Sequence, residues 1–158
     1  MRLCIQRWGM HIVVGSDHAG YPLKQEVIRF LHAEGHRVED VGTDSIESTD
    51  YPDYAVLVAR AVAEGRADLG ILICGTGIGM GIAANKVRGI RAAVATNSYM
   101  ARKAREDNDA NVLCLGGRVL GVGSALEIVR AFLATRFAGG RHASRVRKIA
   151  AIEREERE

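Results

Sequence analysis

Short runs of β-forming residues alternate with amphipathic segments along most of the chain. Five runs rich in apolar and β-branched residues predict strands, at 11–16, 36–42, 68–75, 90–95 and 111–117. The third and fourth runs contain the uninterrupted apolar stretches ILIC and AAVA, which are typical of parallel strands buried on both faces. This alternation predicts an α/β domain in which a five-stranded parallel sheet lies between two layers of helices.

The segments between the predicted strands have the apolar spacing of helices. In the first of them, Leu23, Val27 and Leu31 recur every four residues, Pro22 stands near the start, and Gly35 stands at the end. The same pattern predicts helices at 54–64, 77–87, 99–106, 124–135 and 141–158. Because no strand follows the last helix, we expect this extra C-terminal helix to pack against a second subunit.

Composition narrows the class of protein. The chain has 158 residues, of which 47% are hydrophobic, so it can bury the core of one domain, assigned to 10–158. Residues 1–9 precede the first clear strand and are interpreted as an extension outside that core. The net charge is +3 and basic residues are interspersed with acidic ones, which does not favour a nucleic-acid partner. No apolar run reaches the length of a signal peptide or a membrane span, so we expect a cytoplasmic protein without a membrane partner.

Cofactor motifs are weak. Cys4, Cys74 and Cys114 are far apart and form no C-x-x-C pair, and no His/Asp/Glu cluster has the spacing of metal ligands, so neither a disulfide nor a metal site is predicted. Gly79, Gly81 and Ala84 fit a relaxed dinucleotide fingerprint. The strand that follows ends without the acidic residue that would hold a ribose, which disfavours a nicotinamide enzyme.

The loops that follow the strands are the expected place of chemistry, because ligands of open α/β sheets bind beyond the carboxyl ends of the strands. The first, third, fourth and fifth strands are followed by SDHAG, CGTGIGMG, TNSY and GGR. We expect these four loops to meet in one crevice, and the run NDAN at 108–111 to add polar groups at the same edge. The glycine-rich loop leads into a helix and could hold a phosphate or an oxyanion on its N–H groups.

The polar residues in these loops each allow two interpretations. Cys74 is either a small apolar residue at a strand end or a thiol whose thiolate is favoured at a helix start. Thr76 either caps that helix or bonds the thiolate or a substrate oxygen, and Asp17 and His18 either cap a helix or contact a ligand. Two further arginines lie four residues apart and could grip one phosphate or could simply be solvated, namely Arg141 and Arg145.

Taken together, the motifs GSDHAG, TDYPDYA, ILICGTGIGMGIAANK, NDANVL and GGRH resemble the type B ribose-5-phosphate isomerases, which are grouped with the galactose-6-phosphate isomerase subunits. The resemblance runs from Met10 to about Glu153. It implies a Rossmann-like α/β fold and a homodimer or tetramer with active sites between subunits. It also implies aldose–ketose isomerisation of a sugar phosphate without metal or organic cofactor, in the pentose phosphate pathway.

The resemblance also implies a role for each matching residue. Cys74 matches the base that moves a proton between C1 and C2, and Thr76 matches a residue that supports the base and ring opening. Asp17 and His18 match positions that contact the substrate. The enediolate oxygen would be held by backbone N–H groups of the glycine-rich loop, at Gly75, Gly77, Ile78 and Gly79. The remaining sugar and phosphate ligands would be Arg118, Arg141, Arg145 and, from the partner subunit, Asn108.

One position departs from the family pattern. Many members have a histidine immediately before the asparagine that matches Asn108, and that histidine opens the sugar ring, whereas this chain has Asp107. We expect Asp107 to lie near the substrate but to open the ring less effectively, because an exposed aspartate only accepts a proton near neutral pH. The alternatives are that Asp107 is a base or a proton shuttle, that Thr76 and His18 open the ring, or that Asp107 is a surface residue.

Three other functions compete with isomerisation of ribose 5-phosphate. A hexose 6-phosphate isomerase of the same family, acting on allose or galactose phosphate, would differ in the length of its pocket. The presence of both Cys74 and Thr76 argues against a non-catalytic subunit that only binds phosphosugars. A metal-dependent hydride-shift isomerase is disfavoured by the lack of ligand spacing.

Overall fold

A computed structural model describes residues 9–157. Its five strands are β1 (His11–Ser16), β2 (Arg37–Asp40), β3 (Leu69–Cys74), β4 (Ala92–Val94) and β5 (Val112–Gly116). All of them are parallel, and their order across the sheet is β2-β1-β3-β5-β4. β3 is buried along its whole length, as the run ILIC predicted. The same prediction from AAVA was wrong, because β4 is the outermost strand and is only half-buried.

Six helices connect or follow the strands. They are α1 (Tyr21–Ala33), α2 (Tyr51–Ala63), α3 (Ile78–Ala84), α4 (Ser98–Asn108), α5 (Val122–Ala134) and α6 (Arg141–Glu155). One face of the sheet packs against α1, α4 and α5, with Val27, Ala101 and Phe132 in its core. The other face packs against α2 and α3, with Val58 and Met80 in its core. The predicted three-layer, Rossmann-like α/β fold is therefore confirmed.

Most element bounds differ from the predicted ones by one to three residues. The largest shift at a start is in α2, which begins at Tyr51 because Pro52 is accommodated in its first turn. α3 is shorter than predicted because the side chain of Asn85 turns to the edge strand. Its Oδ1 accepts from the N–H of Ala92 at 2.8 Å and its Nδ2 donates to the carbonyl of the same residue at 3.0 Å.

The C-terminal helix α6 contacts its own chain. Both carboxylate oxygens of Glu153 accept from the backbone N–H of Gly89, at 3.1 and 3.2 Å. The apolar residues Ile149 and Ile152 of this helix remain 47% and 60% exposed, so its contacts within this chain do not cover them.

The predicted extension at 1–9 lies outside the described residues apart from Gly9, and so does Cys4. Met10 is already attached to the domain, because its backbone N–H donates to Nδ1 of His36 at 3.1 Å. The assignment of 10–158 as one domain stays a prediction. Within residues 9–157, none of the helices combines the length and the apolar character that crossing a bilayer requires.

Candidate active site

A cavity of about 460 Å³ opens at the carboxyl edge of the sheet, where the loops after β1, β3 and β5 meet. In the strand order, β1 and β3 are neighbours and the chain turns to opposite sides from them, which makes this edge a topological switch point. The lining residues are Asp17, His18, Ala19, Tyr51, Cys74, Gly75, Thr76, Ile78, Gly79, Ile82 and Arg118. Eight of the predicted site residues are therefore gathered around one cavity.

Cys74 is the last residue of β3 and forms part of the cavity wall. Its side chain is 5% exposed, and its Sγ accepts a hydrogen bond from the backbone N–H of Gly77 at 3.2 Å. Its carbonyl accepts from the N–H of Gly117 at 2.7 Å, which ties the strand end to the loop after β5. These two contacts fix the position of the sulfur beside the start of the glycine-rich loop.

Gly77 lies behind the cavity wall. It is buried, its φ is +81°, and a Cβ added there would lie 3.0 to 3.2 Å from the backbone of Leu115. Both the positive φ and the close approach require glycine. Gly77 was predicted to contact the substrate, but it does not line the cavity, and its N–H instead holds the thiol of Cys74.

Thr76 lies directly before Gly77, the N-cap residue of α3, and also faces the cavity. Its Oγ1 accepts from the N–H of Ile78 at 3.2 Å, which satisfies a donor at the start of the helix. The residue is exposed and lines the cavity next to Cys74. The two interpretations of Thr76 in the sequence are therefore compatible with each other.

Asp17 and His18 enter the cavity from the loop after β1. Oδ1 of Asp17 accepts from the N–H of Gly20 at 3.0 Å, which fixes the turn before α1, and the residue is only 5% exposed. Nδ1 of His18 accepts from the N–H of Thr49 at 3.1 Å. An imidazole nitrogen that accepts carries no hydrogen, so Nε2 carries it and can donate to a substrate oxygen.

Arg118 and Tyr51 form the outer wall of the cavity. The backbone N–H of Arg118 donates to the carbonyl of Gly75 at 3.0 Å, and a Cβ on Gly75 would lie 3.5 Å from the Cδ of this arginine. The ring of Tyr51 covers Gly79 so closely that an added Cβ would lie 2.7 Å from Cε2. Sequence reasoning missed Tyr51 together with Ala19 and Ile82. Tyr51 stands in a quoted motif, but nothing local to that motif indicates that it reaches across to Gly79.

The remaining predicted residues lie elsewhere, because α4 carries the chain back across the sheet. Its 11 residues span roughly 16 Å from the carboxyl edge to the amino edge, where Asp107 and Asn108 end the helix just before β5. Asn108 lines a second cavity, of about 780 Å³, together with Ile149 and Ile152. The run at 108–111 is therefore not at the edge where we placed it.

Arg141 and Arg145 also lie outside the Cys74 cavity. Both are exposed in the first turns of α6, which packs near the end of α4. Within one copy of the chain, the structure therefore forms two groups of predicted site residues. One group surrounds Cys74, and the other consists of Asp107, Asn108, Arg141 and Arg145.

The loop after β4 also differs from expectation. None of the residues TNSY, at 96–99, lines the cavity, because β4 is the outermost strand and β5 separates it from β3. Asn97 instead caps α4, and its Oδ1 accepts from the N–H of Met100 at 2.8 Å. The loop after β4 therefore stabilises the start of α4 and does not form part of the cavity. Tyr51, at the start of α2, forms part of the cavity wall.

Cys114 has a different environment from Cys74. It lies in the middle of β5 with 0% exposure, and burial raises the pKa of its thiol far above the ordinary value, with the nearby Cys74 as a second cause. A thiol held neutral in this way is inert. Cys114 therefore behaves as a small core residue.

Comparison with known proteins adds to this geometry. The model of a family described as ribose/galactose isomerase matches residues 12–149. The chain belongs to this family. The family resemblance read from the motifs is thus confirmed, and so is the expectation of an isomerase.

Several members of the ribose/galactose isomerase family are similar over nearly their whole length. The chain is 53% identical to ribose-5-phosphate isomerase B of Escherichia coli over 142 residues, which is 90% of this chain and 95% of that protein. It is 44% identical to D-erythrulose-4-phosphate isomerase of Pectobacterium atrosepticum, covering 94% of this chain and 98% of that protein. The solved structure of Clostridium thermocellum ribose-5-phosphate isomerase B has a TM-score of 0.92 at 58% identity, covering 93% of this chain and 99% of that one.

Proposed function

We propose that this chain interconverts ribose 5-phosphate and ribulose 5-phosphate by proton transfer through an enediolate, without metal or organic cofactor. Membership of the ribose/galactose isomerase family and the similarity to ribose-5-phosphate isomerase B of Escherichia coli support the reaction class. The observation that carries the proposal is the thiol of Cys74, which lines a cavity of sugar-phosphate size and accepts a backbone hydrogen bond.

Cys74 is the base in this mechanism. Its thiolate takes the proton from C2 of the open-chain aldose, and the electron pair of the C–H bond moves to form the enediolate. The hydroxyl proton on the C2 oxygen moves to the C1 oxygen of the enediolate, and return of the thiol's proton to C1 then gives the ketose and restores the thiolate. No carboxylate of the glycine-rich loop could replace the thiol, because CGTGIGMG contains none.

The charge that develops on the enediolate oxygen is held by polar groups around the thiol. We assign this role to the backbone N–H groups of Gly75, Thr76 and Gly79, which line the cavity, since preorganised donors stabilise a developing oxyanion strongly in a confined site. The hydroxyl of Thr76, the carboxylate of Asp17 and Nε2 of His18 are the side-chain groups available to the sugar hydroxyls. Arg118 adds a positive charge at the rim.

A second copy of the chain completes the site in this proposal. Asn108, Arg141 and Arg145 are too far from Cys74 in one copy to share a small ligand with it, given the length of α4. The rim of the Cys74 cavity carries exposed apolar side chains, with Ile78 56% and Ile82 61% exposed. Apolar residues beside a polar cavity are typical of a surface that another subunit covers.

A longer or shorter sugar phosphate is the alternative substrate. The family description includes galactose, and one relative is named for a four-carbon ketose phosphate. The test is turnover of the purified chain on ribose, allose, galactose and erythrose phosphates, with a metal chelator present. We expect ribose 5-phosphate to have the highest kcat/KM. A higher value for a hexose or tetrose phosphate would reassign the substrate, and no turnover of any of them would favour the non-catalytic subunit.

A further inference from the structure

A carboxylate–imidazole pair joins the end of α4 to the first turn of α6. Nε2 of His142 lies 3.5 Å from Oδ1 of Asp107, and the two side chains are 13% and 31% exposed. Nζ of Lys103, one turn earlier on α4, lies 3.8 Å from the same oxygen. Among residues 9–157 this buried oxygen has no partner in hydrogen-bonding geometry. Oδ1 of Asp107 is therefore available to accept a hydrogen bond from the imidazole of His142.

The backbone fixes this pair in place. The N–H of Ala138 donates to the carbonyl of Glu106 at 3.0 Å, which ties the segment before α6 to the last turn of α4. Gly139 and Gly140 then take φ values of +66° and +56°, a left-handed turn that glycine adopts readily. The N–H of His142 donates to the carbonyl of Gly139 at 3.0 Å, which fixes the backbone of His142 at the start of α6. From there its imidazole lies beside Asp107.

We propose that His142, oriented by Asp107, is the acid that opens the cyclic form of the sugar phosphate. The inference rests on the proposed function and on the second copy of the chain that it invokes. In this chain the histidine expected directly before Asn108 is replaced by Asp107, and the imidazole is supplied from α6 instead. Ring opening thus depends on one residue of α4, Asp107, and one residue of α6, His142.

The position of His142 next to Arg141 suits this role. If Arg141 and Arg145 grip the phosphate, the ring oxygen of a furanose 5-phosphate lies close by, because only C4, C5 and the ester oxygen separate it from phosphorus. A side chain adjacent to Arg141 can therefore reach that ring oxygen. When Nε2 of His142 donates to Asp107, Nδ1 is left to face the substrate.

The step balances without any added reagent except water. The protonated imidazole gives its proton to the ring oxygen, and the bond between C1 and that oxygen breaks with its electron pair going to oxygen. The anomeric hydroxyl loses its proton to water as the C1 carbonyl forms. A proton from water then restores the imidazolium, and the Asp107 carboxylate stabilises its positive charge.

The test separates ring opening from proton transfer at carbon. Ribulose 5-phosphate cannot close to a furanose, because its C5 oxygen carries the phosphate, so exchange of its C1 proton with D₂O needs Cys74 but no ring opening. We therefore compare two rates in the same preparations: net turnover of ribose 5-phosphate, and C1 exchange of ribulose 5-phosphate followed by proton NMR. The variant is His142→Gln, and the matched control is His32→Gln on the exposed end of α1.

We expect His142→Gln to lower turnover of ribose 5-phosphate by about a hundredfold to a thousandfold, the usual contribution of one general acid. C1 exchange should change by less than about twofold, since it depends on the thiol and the loop. Retained exchange also shows that the variant is folded. Asp107→Asn should show the same selective loss to a smaller degree, and His32→Gln should change neither rate.

Two results would overturn the inference. Equal losses of turnover and exchange in His142→Gln would mean that the imidazole positions the substrate or the subunit, and unchanged turnover would mean that it has no part in the reaction. Failure of the proposed function is distinguishable from both, because the unmodified chain would then show no C1 exchange at all.

Discussion

Two inactive variants should restore each other's activity if each active site combines residues of two subunits. Cys74→Ala removes the base from one group of site residues, and a double change of Arg141 and Arg145 to Ala removes the phosphate ligands from the other. The two groups lie at opposite edges of the sheet, separated by the roughly 16 Å length of α4. In a mixed dimer, one site receives both defects and the other receives neither.

The magnitude follows from this count. Random re-pairing of equal amounts of two variants makes about half of the dimers mixed, and each mixed dimer has one intact site of two, so about a quarter of the activity of the unmodified protein should return. The assay measures turnover of ribose 5-phosphate at a concentration well below KM, before and after the mixed subunits are separated and allowed to re-pair.

A matched control uses two defects in the same group. Cys74→Ala mixed with Thr76→Ala should regain nothing, because both residues line the same cavity of the same copy and every mixed site is damaged. Activity that stays at the sum of the parents in the first mixture, while size measurements show that mixed dimers have formed, would refute the shared site.

Three further predictions concern phosphate binding, stability and pH. Arg141→Ala and Arg145→Ala should each raise KM for the sugar phosphate and weaken inhibition by inorganic phosphate, with only partial rescue by Lys, which lacks the bidentate fork; an unchanged inhibition constant would contradict this. Asp40→Ala should cost about 1–3 kcal/mol in the free energy of unfolding, because it leaves the ammonium of Lys24, which is 1% exposed, with the carbonyl of Thr43 but without its carboxylate at 2.7 Å. Lys24→Met should cost less in the same urea titrations, since Asp40 is 38% exposed and stays hydrated. Burial raises the pKa of Cys114, so the unfolded thiol ionises first as pH rises above about 8.5, and the unfolding free energy should fall by up to about 1.4 kcal/mol per pH unit; Cys114→Ala should remove that part of the slope.

The sheet could be predicted from the sequence because its pattern is local. β1 has the predicted bounds, and the apolar run ILIC marked the burial of β3 correctly. The run AAVA did not do so for β4, because its place at the edge of the sheet is not encoded locally. The helix bounds were less exact where a tertiary contact decides them, as where the side chain of Asn85 pairs with the backbone of β4. Apolar spacing contains no information on such a contact.

Part of the site could also be predicted, because several of its residues lie close to strand ends, which a local pattern marks. The rule for carboxyl ends brings together residues that end a strand or lie within two positions after one, namely Cys74, Thr76, Asp17, His18 and Arg118. The strand order is not encoded locally. Because β4 is the outermost strand, the loop after it does not reach the cavity, and Tyr51 forms part of the wall. Asn108 lies at the opposite edge of the sheet because α4 runs back across it. The pairing of Asp107 with His142 was missed because the two residues are 35 positions apart (142 − 107) and meet through a glycine turn.

The central claim is that the thiol of Cys74 moves the proton, and the chain supplies its own control in Cys114. The decisive measurement is C1 proton exchange of ribulose 5-phosphate in D₂O by Cys74→Ala and Cys114→Ala, each checked for an unchanged fold by circular dichroism. We predict that exchange falls by several orders of magnitude, at least about a thousandfold, in Cys74→Ala and stays close to that of the unmodified protein in Cys114→Ala. Exchange in Cys74→Ala at more than about a tenth of the unmodified rate would contradict the account, because loss of the base must cost more than loss of one minor contact.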